Sequence, residues 1–406
     1  MGVLLFLTFS ILKIQYKIDN NKMSNMKFLL ITPSIKNNLN DELLNCVNQI
    51  NSNIKKRILS CTIFINSESD NEYYEKKLTL SILLQDHFQK NFFPISTISQ
   101  PPVDGYEICM EFCYTENVNA KIERKIHNGY PYTLLTENDQ NIIFVSGLSI
   151  RKKNQTIENL ARACFKIAEE ILHKESMDFR SIIRQWNYIE NIFASVDHQQ
   201  NYQIFNNVRA EYYNSSNLNN NFPSATGIGV NAGGITLDFI ASKKTNNLKI
   251  ISLNNPIQID AHKYSNNVLI GKENICTPKF ERAKYLKDIN KEIIFISGTA
   301  AIIGENTEEY NAEQQTYVTI ENIIELISHK NLKNHGINTI PMKPSFLRIY
   351  IKNREDISSI KKVCEEYFNR IPSIYLLADI CRENLLVEIE GIAQFNEKFT
   401  VNWAGF

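Results

Sequence analysis

The stretch NIIFVSGLS, residues 141–149, is written again almost letter for letter as EIIFISGTA at residues 292–300. Each is a run of four apolar residues closed by Ser-Gly, the pattern of a buried strand ending in a turn. Aligning Phe144 with Phe295 brings the downstream residues into step. After the first copy, QTIENLARACFKIAEEIL sets Ile157, Leu160, Ala161, Cys164, Ile167 and Ile171 at helical spacing, with Thr156 placed to cap the helix. FRSIIRQWNYIENI then reads as a strand, NYQIFNNVRAEYY as a second helix, FPSATGIGV as a turn-rich link and GGITLDFIA as a closing strand. After the second copy the order recurs: EQQTYVTIENIIELI, SFLRIYIKN, ISSIKKVCEEYFNRI, the link PSIYLLADICREN and the strand LLVEIEGIA. Repetition this extended predicts an α/β chain of layered α+β type, with two tandem repeats whose mixed sheets pack their helices on one face. The chain divides accordingly into an extension at 1–25, an N-terminal α/β segment at 26–140, a first repeat at 141–245 and a second at 246–406. Within the N-terminal segment, KFLLITP, RILSCTIFIN and YEICMEFCY are strand candidates.

Composition excludes several classes. The 406 residues are 43% apolar, enough for a sizeable core, and the formal net charge of zero leaves no nucleic-acid footprint. The eight cysteines form no C-x-x-C pair, and Cys109 and Cys113 have no His or Cys cluster to complete a zinc site. Reduced thiols in a cytoplasm and no metal are the expectation. The opening MGVLLFLTFSILKIQYK carries about half of the roughly 20 apolar residues a membrane span needs. It lacks a basic n-region and a small-residue cleavage site, so an extended or misassigned start is expected, with Met23 and Met26 as later starts. The seven histidines are dispersed, and neither H-E-x-x-H nor G-x-S-x-G occurs. Gly227, Gly229 and Ala232 fit G-x-G-x-x-A, but a helix precedes them and a strand follows, so the dinucleotide reading fails on context. A glycine turn close to a ligand stays open.

VEIEG places Glu388 and Glu390 on one face of a strand whose neighbours Leu385, Leu386, Val387 and Ile389 are apolar. Such a strand is covered, and a covered carboxyl has a raised pKa and can donate a proton near neutrality. The first repeat sets Thr236 and Asp238 at the matching places, which suggests one working site and one degenerate one. Ser297 in SGTA reads as a strand-ending hydroxyl bonded locally rather than as a nucleophile.

LLVEIEGIA and the paired SG turns resemble the YjgF/RidA superfamily, whose small subunits (chorismate-mutase-like in fold) form trimers with ligand clefts between them. Imine-deaminase members carry an arginine where this chain has Ser373. The blocks RQWNYIENI, NYQIFNNVRAEYY, FPSATGIG, TPKFERAKYL, FISGTAAIIGE and LLADICRENLLVEIEG, spread over about residues 140–395, resemble more specifically the chorismatase, or hydroxybenzoate synthase, family. The chain departs from it at Ala301, where the family usually has Ser, and at NAEQQ. The resemblance implies chorismate as substrate, no cofactor, and a proton delivered to the methylene carbon of its enolpyruvyl ether. Carried over by matching motif, Glu388 is the catalytic general acid and Cys381 the second catalytic position. Arg209, Arg282, Tyr202, Tyr264, Ala300, Thr226 and Gly227 are the substrate-binding set. Cys381 implies 3-hydroxybenzoate as the favoured product, with 4-hydroxybenzoate beside it, whereas Ala300 is also found in the hydrolases that yield a dihydroxycyclohexadiene acid. From the residues alone, Arg209 also reads as a surface arginine, Tyr202 and Tyr264 as core residues, and Cys381 as a small buried apolar residue. Arg382 faces the site or pairs with Glu383. A chain carrying its own repeats is expected to be a monomer.

Overall fold

The computed structural model describes residues 26–394 apart from 90–91, 152, 197, 219–220, 270–274, 289–291, 309 and 340; the extension expected at 1–25 lies outside the described residues. The chain begins with β1 (Met26–Ile31), α1 (Leu39–Asn48), β2 (Ile58–Ile65), α2 (Asp70–Phe88), β3 (Ile95–Ser99) and β4 (Ile108–Thr115). It continues with β5 (Lys121–His127), β6 (Tyr130–Glu137), β7 (Gln140–Ser149), α3 (Ile157–Lys174), β8 (Ile182–Glu190), α4 (Asn201–Ser215), β9 (Ser224–Val230) and β10 (Ile235–Ser242). The last third holds β11 (Lys249–Leu253), β12 (Ala283–Lys287), β13 (Glu292–Ala300), α5 (Ala312–Ile327), β14 (Lys343–Ile351), α6 (Ile357–Phe368), β15 (Ser373–Leu377) and β16 (Val387–Gln394).

Three mixed sheets result, ordered β3-β2-β4-β1, β9-β8-β10-β7-β6-β5 and β15-β14-β16-β13-β12-β11. In each, a strand–helix–strand–helix–strand–strand path builds the same four-strand core, with β2, β8 and β14 parallel to β3, β9 and β15. Their other neighbours, β4, β10 and β16, run antiparallel. The parallel pairs are the ones joined through a helix, as a crossover connection requires. The two expected repeats are therefore present, and the N-terminal segment is a third unit of the same design without the two edge strands. Two strands differ from the expected division: β5 and β6, assigned to residues before 141, hydrogen bond into the sheet of β7. The links FPSATGIGV and PSIYLLADICREN also contain strands, β9 and β15, each held on its neighbour by a parallel ladder.

Thr156 caps α3 as expected, its hydroxyl accepting from the Asn159 amide. The helices of each unit cover one sheet face with apolar side chains, Leu160, Cys164 and Phe165 of α3 in the second unit and Ile320, Ile323 and Val363 in the third. The other faces meet one another: Phe64, Tyr188 and Tyr350, one from each sheet, share one cluster, and Cys113, Phe144 and Phe295 share another. Matching strand positions put Glu111, Asp238 and Glu390 opposite Thr62, Trp186 and Arg348, one carboxyl per sheet. The three units thus form a ring with three seams. Among the described residues no helix is long and apolar enough to cross a membrane.

Candidate active site

The Ser-Gly pairs that end β7 and β13 are bulges: ladder register slips between Leu237 and Phe239 in one unit, and between Ile296 and Thr299 in the other. A bulge re-aims a strand beside its partner. At the second of these, β16 brings Glu388 against Gly298. A Cβ at residue 298 would lie 2.1 Å from Glu388 Oε1, so glycine is what leaves room for the carboxyl. Ala300 stands directly across the ladder from Glu388.

Glu388 and Glu390 leave the same face of β16, 4% and 2% exposed, yet their surroundings separate them. Glu390 pairs with Arg184 and, at 3.1 Å, with Arg348, and accepts from Tyr350 at 2.9 Å, Trp186 Nε1 at 3.0 Å and the Thr226 hydroxyl. Burial alone pushes its carboxyl up, but the two guanidinium groups and these donors hold it below its usual value. Glu388 has no such clamp. Burial first, and the Glu390 charge second, raise it to about 8 against the opposing pull of Arg184 and Arg282. One carboxyl is ionised and the other is a neutral acid at pH 7.

Glu388 opens into a cavity of about 720 Å³, mouth included, in the seam between the second and third units. Tyr202, Tyr264, Thr226, Gly227, Arg282, Ala300 and Cys381 line it with Glu388, so eight of the nine residues expected from the sequence meet at one place. Arg282, 3% exposed, donates to the Tyr264 hydroxyl at 2.7 Å and to the Ile259 carbonyl, and its Nε has no partner among the described residues. Arg382 faces the site rather than Glu383: it donates to Glu305 O at 2.8 Å and Thr307 Oγ1 at 3.1 Å and lies 5.2 Å from the Tyr264 ring centre. Two guanidinium groups on one wall suit an anionic ligand.

On the facing wall, a Cβ at Gly227 would meet the Tyr202 ring at 2.9 Å, which explains a glycine in the middle of β9. The Thr226 hydroxyl donates to Glu390 and accepts from Arg184 at 2.6 Å and from the Gly298 amide at 3.0 Å. Its one hydrogen and two lone pairs are thereby used within the protein, so Thr226 fixes Gly298 and Glu390 instead of hydrogen bonding a ligand. Arg209 is not on the wall; 1% exposed, it stands behind Asn206 and donates to Asn206 Oδ1 at 2.6 Å. The Cys381 thiol is pushed up to about 12, by burial and then by the Glu388 charge, and stays protonated. The Ser297 hydroxyl donates to Glu281 O at 2.6 Å and accepts from the Ala225 amide at 2.9 Å, so it is held by partners distant in the chain rather than by local ones. Sequence reading missed Gln203, Asn206 and Gly298 on the wall, and Arg184 behind it. The only signal for Asn206 was its place on α4, four residues after Tyr202 and three before Arg209, a shared helical face.

At the other two seams the units are in direct backbone contact. Between the first and second units a Cβ at Gly147 would meet the Ile95 carbonyl oxygen at 2.3 Å, so backbone lies against the bulge. There Asp238 accepts from the Gly147 amide at 2.7 Å and the Ser96 hydroxyl at 3.0 Å, and burial raises it to about 7. Between the third and first units, Leu377 donates to Pro101 O at 2.9 Å and Val103 to Tyr375 O at 3.1 Å.

Residues 120–241 match the family described as chorismatase FkbO/Hyg5-like, N-terminal. Over 241 residues the chain is 33% identical to a protein of Streptomyces hygroscopicus named 3-hydroxybenzoate synthase, covering 57% of this chain and 68% of that one. The chain belongs to the chorismatase family. It is also 33% identical over 225 residues to a protein of Streptomyces rapamycinicus named chorismatase, covering 53% of this chain and 65% of the relative. A crystal structure of a chorismatase aligns over 91% of this chain and 98% of its own, with a TM-score of 0.69 at 20% identity, which shows a shared fold.

Proposed function

We propose that this chain is an enzyme that cleaves the enolpyruvyl ether of chorismate to give pyruvate and a hydroxybenzoate, 3-hydroxybenzoate favoured, with Glu388 as general acid. The observation that carries the reading is a buried glutamic acid, raised to about 8, on the wall of a cavity that also presents Arg282 and Arg382. Relatives named chorismatase and 3-hydroxybenzoate synthase support the substrate class. Arg282, backed by Tyr264, holds a carboxylate of the dianion through its unpartnered Nε side. The Glu388 proton passes to the methylene carbon of the ether, which becomes a methyl group, and the positive charge left on the ether carbon is stabilised by the new carboxylate. Water capture gives a hemiketal that breaks down to pyruvate and the dihydroxycyclohexadiene acid. Capture by the neighbouring ring hydroxyl gives a cyclic ketal, from which that hydroxyl's ring C–O bond breaks, the ketal opens to release pyruvate, and the ring C–H proton lost on aromatisation returns to Glu388. Hydroxybenzoate and pyruvate together hold the atoms of chorismate, so no water is consumed overall; the alternative product, the dihydroxycyclohexadiene acid, takes up one.

Cys381 enters as a neutral thiol beside the acid and favours the aromatic product; Ala300, across the ladder from the acid, is compatible with either product. The family's relatives carry names of both kinds, so the hydrolytic product is the second reading. The seam holding Thr236 in place of Glu388 has no acid at that position and takes no part, leaving the third unit as the catalytic one. A chain that closes its own ring of three units needs no second copy to complete the cleft, and a cytoplasmic monomer is the form we propose. The test is incubation of purified protein with chorismate, scoring pyruvate and separating products by chromatography. Folded protein that releases no pyruvate overturns the reading; one equivalent of pyruvate per 3-hydroxybenzoate supports it.

A further inference from the structure

The first unit lends no side chain to the cavity wall, yet one of its carboxylates reaches the charges behind Glu388. Arg348 of β14, 3% exposed, donates through Nε to Glu111 Oε2 at 2.6 Å. Through Nη1 it donates to Glu390 Oε1 at 3.1 Å and to the Tyr188 hydroxyl at 2.9 Å. One guanidinium thus binds a residue of each unit. We propose that Glu111 is a positioning residue for the reaction: it occupies one side of Arg348, leaves Glu390 less than fully neutralised, and so keeps the proton on Glu388. The inference rests on the chorismate reading above, in which Glu388 is the general acid.

Glu390 meets two guanidinium groups, Arg184 and Arg348. With Glu390 as their only carboxylate, these would leave one surplus positive charge beside Glu388, and a nearby cation favours the ionised form of an acid. Glu111, 5% exposed and ion-paired with Arg348, makes two carboxylates for two guanidinium groups. It holds on β4 the place that Glu390 holds on β16, but stands opposite Thr62 rather than an arginine, which frees it for a cation of another unit. The other groups facing Glu388 do not replace it. Tyr350 stands across the ladder on β14, Tyr202 on α4, Tyr264 and Arg282 on the opposite wall, and Cys381 and Arg382 on the link before β16. β13 contributes Gly298 and Ala300, and β9 Thr226 and Gly227. None of these is a carboxylate. Asp238, the matching carboxyl of the second unit, lines a second cavity with Glu111 and Arg348, but burial raises it to about 7, so it is neutral below that pH.

The experiment is the pH profile of kcat/KM on chorismate for the full chain and its variants. Glu111→Gln keeps the side-chain length and an acceptor for Arg348 Nε but removes the charge. At an effective permittivity of ~20, a unit charge on the order of 10 Å away moves a carboxyl by roughly one pH unit. The alkaline limb is therefore expected to move down by about 0.5–1 pH unit, with the low-pH plateau within about threefold of the wild type. Glu111→Asp restores the charge, and its limb is expected within about 0.3 pH unit of the wild type. Tyr188→Phe takes an acceptor from the same guanidinium without changing any charge, and its limb is expected to stay equally close. Where Glu111→Gln does not fold, Glu111→Met removes the same charge with an apolar side chain of similar length and carries the same expectation. A limb that stays in place or moves up without the Glu111 charge, or that moves as far in Tyr188→Phe or Glu111→Asp, overturns the inference and leaves the chorismate reading intact. Wild-type protein that does not turn over chorismate, or whose profile has no alkaline limb, overturns that reading instead, and the inference with it.

Discussion

Glu388→Gln separates chemistry from stability in one substitution. The amide has nearly the shape of the protonated acid, so it fits over Gly298, but it has no proton to give. General acid catalysis is typically worth ~10²–10⁴, and kcat on chorismate is expected to fall by about that factor. Stability moves the other way. The Glu388 carboxyl titrates near 4.5 in the unfolded chain and at about 8 in the folded one. Between those values the unfolded chain has released a proton that the folded chain still holds, so each rise of one pH unit removes about 1.4 kcal/mol from wild-type stability. Glutamine does not titrate and escapes that loss. The stability difference in favour of Glu388→Gln should therefore grow from its value below pH 4.5 by about 3 kcal/mol at pH 7, and level off at about 5 kcal/mol above pH 8. Urea unfolding of both proteins at pH 4.5, 7 and 9 measures it. A difference that stays flat with pH, or a variant that keeps wild-type kcat, would refute the claim that a proton is held on this carboxyl for catalysis.

Wild-type kcat/KM should be level up to about pH 8 and then fall tenfold per unit as Glu388 ionises; a rise through that range would show that the ionised form works. Gly298→Ala places a Cβ 2.1 Å from Glu388 Oε1 and 2.9 Å from its Cδ, so the carboxyl must swing away. We expect kcat to drop by at least about tenfold with the circular dichroism spectrum intact, because the clash is with the end of a flexible side chain. Arg282→Lys loses the planar fork, and KM for chorismate should rise by about tenfold or more with kcat less affected; an unchanged KM would remove Arg282 from substrate binding. Cys381→Ala should shift the product ratio towards the dihydroxycyclohexadiene acid on chromatography, and an unaltered ratio would end its role in steering the product.

The duplication was legible because Ser146–Gly147 and Ser297–Gly298 are both bulges, a demand that few residues meet and that the chain states twice in the same letters. The first unit keeps the strand order without that signature: β1 runs from Met26 to Ile31 into Thr-Pro-Ser, and its place in the ring became visible only through pairing. β9 looked like a turn because it carries Gly227 and Gly229. Those glycines serve close approach instead, one to the Tyr202 ring and the other to Asp379, which a Cβ would meet at 2.8 Å. Glu388 could be found from its apolar neighbours, since a strand covered on both faces announces a buried acid. Glu390 shares that pattern and behaves oppositely, because Arg184 and Arg348 come from β8 and β14, far away in the chain. Arg209 failed as a wall residue for a similar reason: helical spacing places Asn206 and Arg209 on one face of α4 but does not say which of them stands in front.

The ring of three fused units carries an evolutionary freedom that identical subunits lack. Where three separate copies assemble, any change at one junction is imposed on all three, and no junction can be given up without losing the rest. Here each junction is encoded by its own letters. One has kept an acid and its guanidinium partners, while the others were at liberty to trade the same positions for threonine and cysteine, at Thr236 and Cys109, and to bring backbone against backbone.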